Sequence, residues 1–256
     1  MSSRREGLCR SRNVQLRYGY CCLVISGLGS VGVKATMIPA GISGHKSNDM
    51  LKRLGGDVLQ KKPTWMALSC GVNDVWHGTV LLDAYKTNIT TIVDSAQAQG
   101  IRVMILTATM IGEDAANPNN RKLAAYNEFL RELAAEKKCL LADLNTDMQK
   151  AVEEGHAKGK KGNLLTVDGV HMNGAGNQMM ALGVLRAFGL GDAELQKVRE
   201  HWMDIPDAVT LPVSASLTWR QQARLQALAD ERKTSVPDMI KAEFDKSVAH
   251  LLEQKK

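Results

Sequence analysis

Trp65-Met66-Ala67-Leu68-Ser69-Cys70 is an uncharged run of six residues that stops at Gly71-Val72-Asn73-Asp74. It has the length of a strand rather than a helix, and it lacks the regular polar alternation of a strand with one wet face. A parallel strand covered on both sides reads this way. Arg102 to Thr109 (RVMILTAT) and Leu140 to Leu144 (LLADL) repeat the pattern downstream, and Ala35 to Ala40 (ATMIPA) precedes it. Between these runs, Asp83 to Gly100 and Asn119 to Lys138 read as helices. The second places Leu123, Tyr126, Leu130, Leu133 and Ala134 on one face, with Arg121, Lys122, Arg131 and Glu132 largely off it. Strands alternating with helices predict βαβ units, and so an α/β fold with a parallel sheet and right-handed crossovers.

The chain has 256 residues, 44% hydrophobic and 23% charged, enough for a full core and ordinary for a soluble globular protein. Much of the net charge of +6 comes from the N-terminal SRREGLCRSR and from Ala157 to Lys161 (AKGKK). A dispersed excess of this size describes a solvated surface, so no nucleic-acid partner is expected. Cys9, Cys21, Cys22, Cys70 and Cys139 form neither a paired framework nor a Cys-x-x-Cys site, so neither structural disulfides nor a metal is expected. No stretch reaches the roughly 20 apolar residues of a membrane span, and no signal peptide is read at the N-terminus. The residues carry no mark of oligomeric state or compartment. After about Leu190 the strand-like runs stop. Arg220 to Asp230 and the segment from Ser235-Val-Pro-Asp238 onward read as two helices with a capped turn. That region has some likeness to a ribbon-helix-helix module, but nothing else supports DNA binding. The expectation is a main domain over 1–190 and a helical C-terminal extension over 191–256.

Three blocks, Gly41-Ile42-Ser43-Gly44, Gly71-Val72-Asn73-Asp74 and Asp168-Gly169-Val170-His171, fall after strands or at a helix start, where the loops of an open α/β sheet gather. Their residue types suit acyl transfer, which needs an imidazole base, a carboxylate to orient it and donors for an oxyanion. Glycine at 44 lets the backbone approach a tetrahedral intermediate and direct its N–H inward. Asn73 offers an uncharged NH₂ donor. Asp168 and His171, three apart before a helix starting near Asn173, can face the same side, where the carboxylate fixes the imidazole tautomer. The plainer alternative makes Asn73 and Asp168 helix caps and His171 a surface residue. His45 and His77 flank the same loops and shape the mouth, whereas His156, His201 and His250 lie on polar segments. Asp74 reads as a cap or loop partner, and Ser43 and Ser69 are poorly placed to attack. A rival motif, Gly27-Leu28-Gly29-Ser30-Val31-Gly32, matches the letter of the dinucleotide fingerprint. Only Val33 and Lys34 separate it from the run ATMIPA, which leaves no room for the phosphate-binding helix. It is read instead as an apolar segment, Cys21 to Ile25, ending in a glycine-rich turn.

In order and spacing from Ala35 to about Gly189, the three blocks resemble blocks II, III and V of the SGNH (GDSL-type) hydrolases. The resemblance implies a flavodoxin-like three-layer α/β/α sandwich that hydrolyses acyl or acetyl esters of carbohydrate or lipid, with no metal or organic cofactor. It implies a small-molecule or carbohydrate ester as the partner, and members of the family are often exported. It also implies that the Gly44 N–H and the Asn73 amide are oxyanion donors, His171 the general base and Asp168 its orienting carboxylate.

One block is missing. The family takes its nucleophile from a buried strand ending in Gly-Asp-Ser, and no Gly-Asp-Ser occurs in this sequence. If Arg10-Ser11-Arg12 and Tyr18-Gly19-Tyr20 match the segment after block I, the nucleophile falls at Ser2, Ser3 or Arg4 with no strand in front of it. Ser26 is the fallback, but its separation of 18 residues from Gly44 is short for a strand, a helix and a strand. The nucleophile is therefore unassigned, with Ser3 and Ser26 as weak candidates. The alternative is a non-catalytic binding protein or remnant that keeps the pocket.

Overall fold

The computed structural model describes residues 19–205 and 216–254. Strands β1 (Trp65–Ser69), β2 (Arg102–Leu106) and β3 (Leu140–Ala142) form a parallel sheet in that order, with Trp65 opposite Arg102 and Met104 opposite Leu140. The central strand shows why its sequence is apolar throughout. Val103 and Ile105 enter one core, Met104 and Leu106 the other, and all four are buried. The first core is closed by helices α2 (Ser47–Asp57), α4 (Leu82–Gln97) and α5 (Pro118–Glu136), with Val75 of the short α3 (Val72–His77). The second is closed by α1 (Tyr20–Ser30), α6 (Leu144–Ala157), α7 (Gly174–Ala187) and α8 (Asp192–Met203). The result is the three-layer α/β/α arrangement. α5 starts where its sequence says, with Pro118 in the first turn and the Asn117 side chain accepting from the Asn119 N–H. Its stripe is core, since Leu123, Leu130, Leu133 and Ala134 are each at most 2% exposed.

One expectation fails. Ala35 to Ala40 is not a strand but an irregular, mostly exposed segment, held to α2 through its end, where the Arg53 guanidinium donates to the Ala40 carbonyl. A strand exists only through its ladder, and among the described residues no strand pairs with this segment or with the outer edge of β1. Among the described residues nothing covers that edge, and Ala67 and Ser69 are exposed. The apolar run Cys21 to Ile25 forms the body of α1, which ends in a turn at Val31 and Gly32. A Cβ at Gly27 would lie 2.9 Å from side-chain methyls of both Leu185 and Val198, so this glycine lets α1 close on α7 and α8. Of the fingerprint-like glycines, Gly27 thus serves helix packing, while a Cβ at Gly29 or Gly32 would meet nothing within 4 Å.

The chain divides after Thr210, later than the change of composition at Leu190 suggests. The reason is α8, whose polar sequence carries Leu195, Val198 and Trp202 into the second core. The smaller unit holds α9 (Trp219–Glu231) and α10 (Val236–Glu253), begun by Thr218 and Ser235 caps, and within these helices only Ala229 and Met239 are buried. Among the described residues, no helix is long and apolar enough to cross a membrane.

Candidate active site

β1 ends at Ser69, and the chain turns through Gly71, at φ +129°, into α3. A Cβ there would lie 3.0 Å from that of Ala108 and 3.2 Å from the Tyr85 hydroxyl, so the turn admits only glycine. Three residues on, Asp74 is completely buried and fastens the second block to the start of α2, just after the first. Its Oδ1 accepts from the Ser47 N–H at 3.0 Å and the Ser47 hydroxyl at 2.6 Å, and its Oδ2 accepts from the Cys70 thiol at 3.3 Å. Burial pushes the Cys70 thiol well above its ordinary range and the Asp74 charge adds to this, so the sulfur stays protonated and is no nucleophile. On the same turn, Asn73 Nδ2 donates to the His45 carbonyl at 3.1 Å, beside Gly44. An amide nitrogen carries a second hydrogen. Gly44 is exposed at φ +80°, and among the described residues no group accepts from its N–H.

The last block is built from behind by the loop after β2. Asn127 brackets Ala108 through both its N–H and its carbonyl, Asn120 accepts from the Ile111 N–H, and Asn145 donates to Thr109. Gly112 N–H then donates to the Gly169 carbonyl at 2.7 Å. Within the block, Asp168 Oδ1 accepts from the backbone of Val170 and His171 at 3.0 and 2.8 Å, while its Oδ2 lies 2.7 Å from His171 Nδ1. The His171 backbone N–H, then its ring, hold the Asp168 carboxyl down at about 2. With the proton of Nδ1 turned to Asp168, Nε2 is left as a base. The pair is open to solvent, the side chains of His171 and Asp168 being 65% and 52% exposed. Asn173 caps α7 just beyond, as the sequence places it.

The structure thus brings Asp168 to His171, sets Asn73 beside the Gly44 loop, and ties the blocks to the carboxyl ends of β1 and β2. It does not bring Ser26 there. Ser3 lies outside the described residues. Ser26 is on α1 and meets a different histidine, its Oγ 2.9 Å from Nε2 of His201. His77 is exposed on α3, and His45 is half-buried with its Nδ1 unpartnered among the described residues. Sequence reasoning missed the bracing asparagines, although Asn120 and Asn127 share the spacing of Leu123 and Leu130 and so announce amides turned into the core.

A model of the GDSL-like lipase/acylhydrolase family matches residues 22–179. An acetylxylan esterase of Geobacillus stearothermophilus is 25% identical over 184 residues, 67% of this chain and 81% of that protein. Among solved structures, the acetyl xylan esterase AlAXEase is 32% identical with a TM-score of 0.61, over 66% of this chain and 90% of that one. Axe2, an acetylxylan esterase of Geobacillus stearothermophilus, shares the fold with a TM-score of 0.62 at 23% identity, over 72% of this chain and 90% of its own. Axe2 variants described as catalytic mutants replace a serine, an aspartate and a histidine, the last two three positions apart. This chain belongs to the GDSL-like lipase/acylhydrolase family.

Proposed function

We propose that this protein is built to handle acetyl esters of carbohydrates, with His171 as general base, Asp168 as the carboxylate that fixes its tautomer, and the Gly44 N–H and Asn73 amide as oxyanion donors. The observation that carries this reading is the 2.7 Å contact between Asp168 Oδ2 and His171 Nδ1 on a turn pinned to the sheet's carboxyl edge. Its three-residue spacing is that of the aspartate and histidine replaced in the Axe2 catalytic mutants. In the reaction, Nε2 takes the proton of the attacking hydroxyl or water and returns it to the leaving alcohol, while the two N–H donors stabilise the charge on the carbonyl oxygen. No step passes through a metal. Trp76, 54% exposed and three residues after Asn73 on the same helix, offers a sugar ring a flat apolar face.

A second reading, a binding protein that keeps the pocket without the attack, is favoured by one observation: no Gly-Asp-Ser is present, and Ser26 is engaged with His201. One experiment separates the two. Acetate release from acetylated xylo-oligosaccharide is measured alongside calorimetric binding of the same sugar. Release that His171→Ala abolishes supports the hydrolase; binding without release supports the second reading; neither rejects both.

A further inference from the structure

Glu113 lies on the loop after β2, outside all three blocks. Its carboxylate gathers four hydrogen bonds from one short stretch. Oε2 accepts from the Leu164 N–H at 2.6 Å, and Oε1 accepts from the N–H groups of Leu165 and Thr166 at 2.8 and 2.6 Å and from the Thr166 hydroxyl at 2.6 Å. Successive N–H groups converging on an anion form a nest, and bonds to a charged acceptor are the stronger kind. The chain of contacts continues toward the site. Thr166 Oγ1 accepts from the Gly169 N–H at 3.1 Å, and the Gly169 carbonyl accepts from Gly112. Gly169, next to Asp168, is therefore gripped through its N–H by Thr166, which Glu113 holds, and through its carbonyl by Gly112, which precedes Glu113 in the chain. The near end is rigid as well, because Asn120 donates to the carbonyls of Gly112 and Asp114 on either side of Glu113.

We propose that Glu113 is a positioning residue for the Asp168–His171 pair: by fixing the backbone of 164–166, it makes the 168–171 turn close with carboxylate and imidazole in register. The proposal rests on the reading of that pair as base and orienting acid. A catalytic geometry has to be kept within about 0.5 Å. Side chains as open to water as these have little packing to hold them, so the constraint has to come from hydrogen bonds behind the turn.

Two variants test this on the full chain by NMR, without recourse to turnover. Glu113→Gln keeps the shape but turns an NH₂ group toward backbone donors and removes the charge. Thr166→Val keeps the shape of a buried residue and breaks only the bridge from Glu113 to Gly169. The readouts are the titration midpoint of the Asp168 carboxyl carbon and the nitrogen shifts of the His171 ring. In Glu113→Gln the midpoint is expected to rise from about 2 toward the ordinary 3.8, with the ring shifts moving toward a mixture of tautomers. Thr166→Val is expected to move both in the same direction by less. A role in fold stability alone lowers the melting temperature and leaves both signals where they are. Unchanged signals in a folded Glu113→Gln overturn the proposal; if that variant does not fold, unchanged signals in Thr166→Val overturn it. A parent chain that neither releases acetate from acetylated xylo-oligosaccharide nor binds it overturns the functional reading and leaves these signals to be judged separately.

Discussion

Gly176 occupies the first turn of α7 where the loop of the last block passes over it, and a Cβ there would sit 2.1 Å from the Leu165 carbonyl oxygen. The obstacle is backbone held in place by the Glu113 nest, so it cannot step aside as a side chain can. Gly176→Ala is expected to cost at least about 2 kcal/mol, read as a lower urea midpoint with an unchanged slope. Asp168 gives a pH prediction whose direction follows from its bonds. Its folded value of about 2 lies below the ordinary 3.8, so ionisation favours the folded state. That contribution is fully present above the ordinary value and is lost as pH falls through about 2. The group is half exposed and solvent screening keeps the effect small. The part of the stability difference between the parent and Asp168→Asn that comes from the carboxylate should be lost between about pH 4 and 2. A difference that persists unchanged below about pH 2 counts against the assigned partners.

Helix α1 and the segment after it show how an element is decided by its neighbours. At Gly27 the groups a Cβ would meet are side-chain methyls of Leu185 and Val198, which can move, and alanine gains about 0.5–1 kcal/mol of helix propensity over glycine. Gly27→Ala should therefore lie within about 1 kcal/mol of the parent, while Gly27→Leu, too large for the same gap, should lose about 3 kcal/mol. Thermal melts of the two variants check the contrast. The sequence carries the motive for this helix only weakly: CCLVISGLG is apolar on most positions, and a fully apolar run reads as strand or buried helix alike. α5 is the opposite case, because its stripe has a helical period and a proline and an asparagine mark its start. Ala35 to Ala40 has the composition of a strand, and its misreading is physical, since composition cannot reveal whether a partner ladder is present. The Asp168–His171 pair was legible because a turn of three residues makes its own contacts. Glu113 was not, because it acts on residues about 50 positions away and nothing local marks it.

At the scale of the whole molecule, the outer edge of β1 and the segment over 35–40 are unpaired among the described residues, and the pair at 168 and 171 is exposed. A strand laid parallel along β1 would supply that edge with a ladder and end at the same carboxyl edge as Asn73. If that strand ended in Gly-Asp-Ser, its hydroxyl would arrive at the edge where we propose His171 Nε2 as the base. The prediction is that this polypeptide hydrolyses p-nitrophenyl acetate poorly or not at all, and that joining a strand ending in Gly-Asp-Ser ahead of Arg10 restores the reaction. Without the hydroxyl, His171 and the oxyanion donors can still polarise an ester and activate water, which in other enzymes stripped of triad members leaves about 10³ to 10⁴-fold over the uncatalysed rate. With it, turnover should rise by several further orders of magnitude and fall back on changing the added serine to alanine. Burial of the bare edge should also make the extended chain more soluble, because an open strand edge invites pairing between molecules. A robust esterase activity in the chain as it stands, lost on Ser3→Ala or Ser26→Ala, would overturn this account and identify the nucleophile in one step.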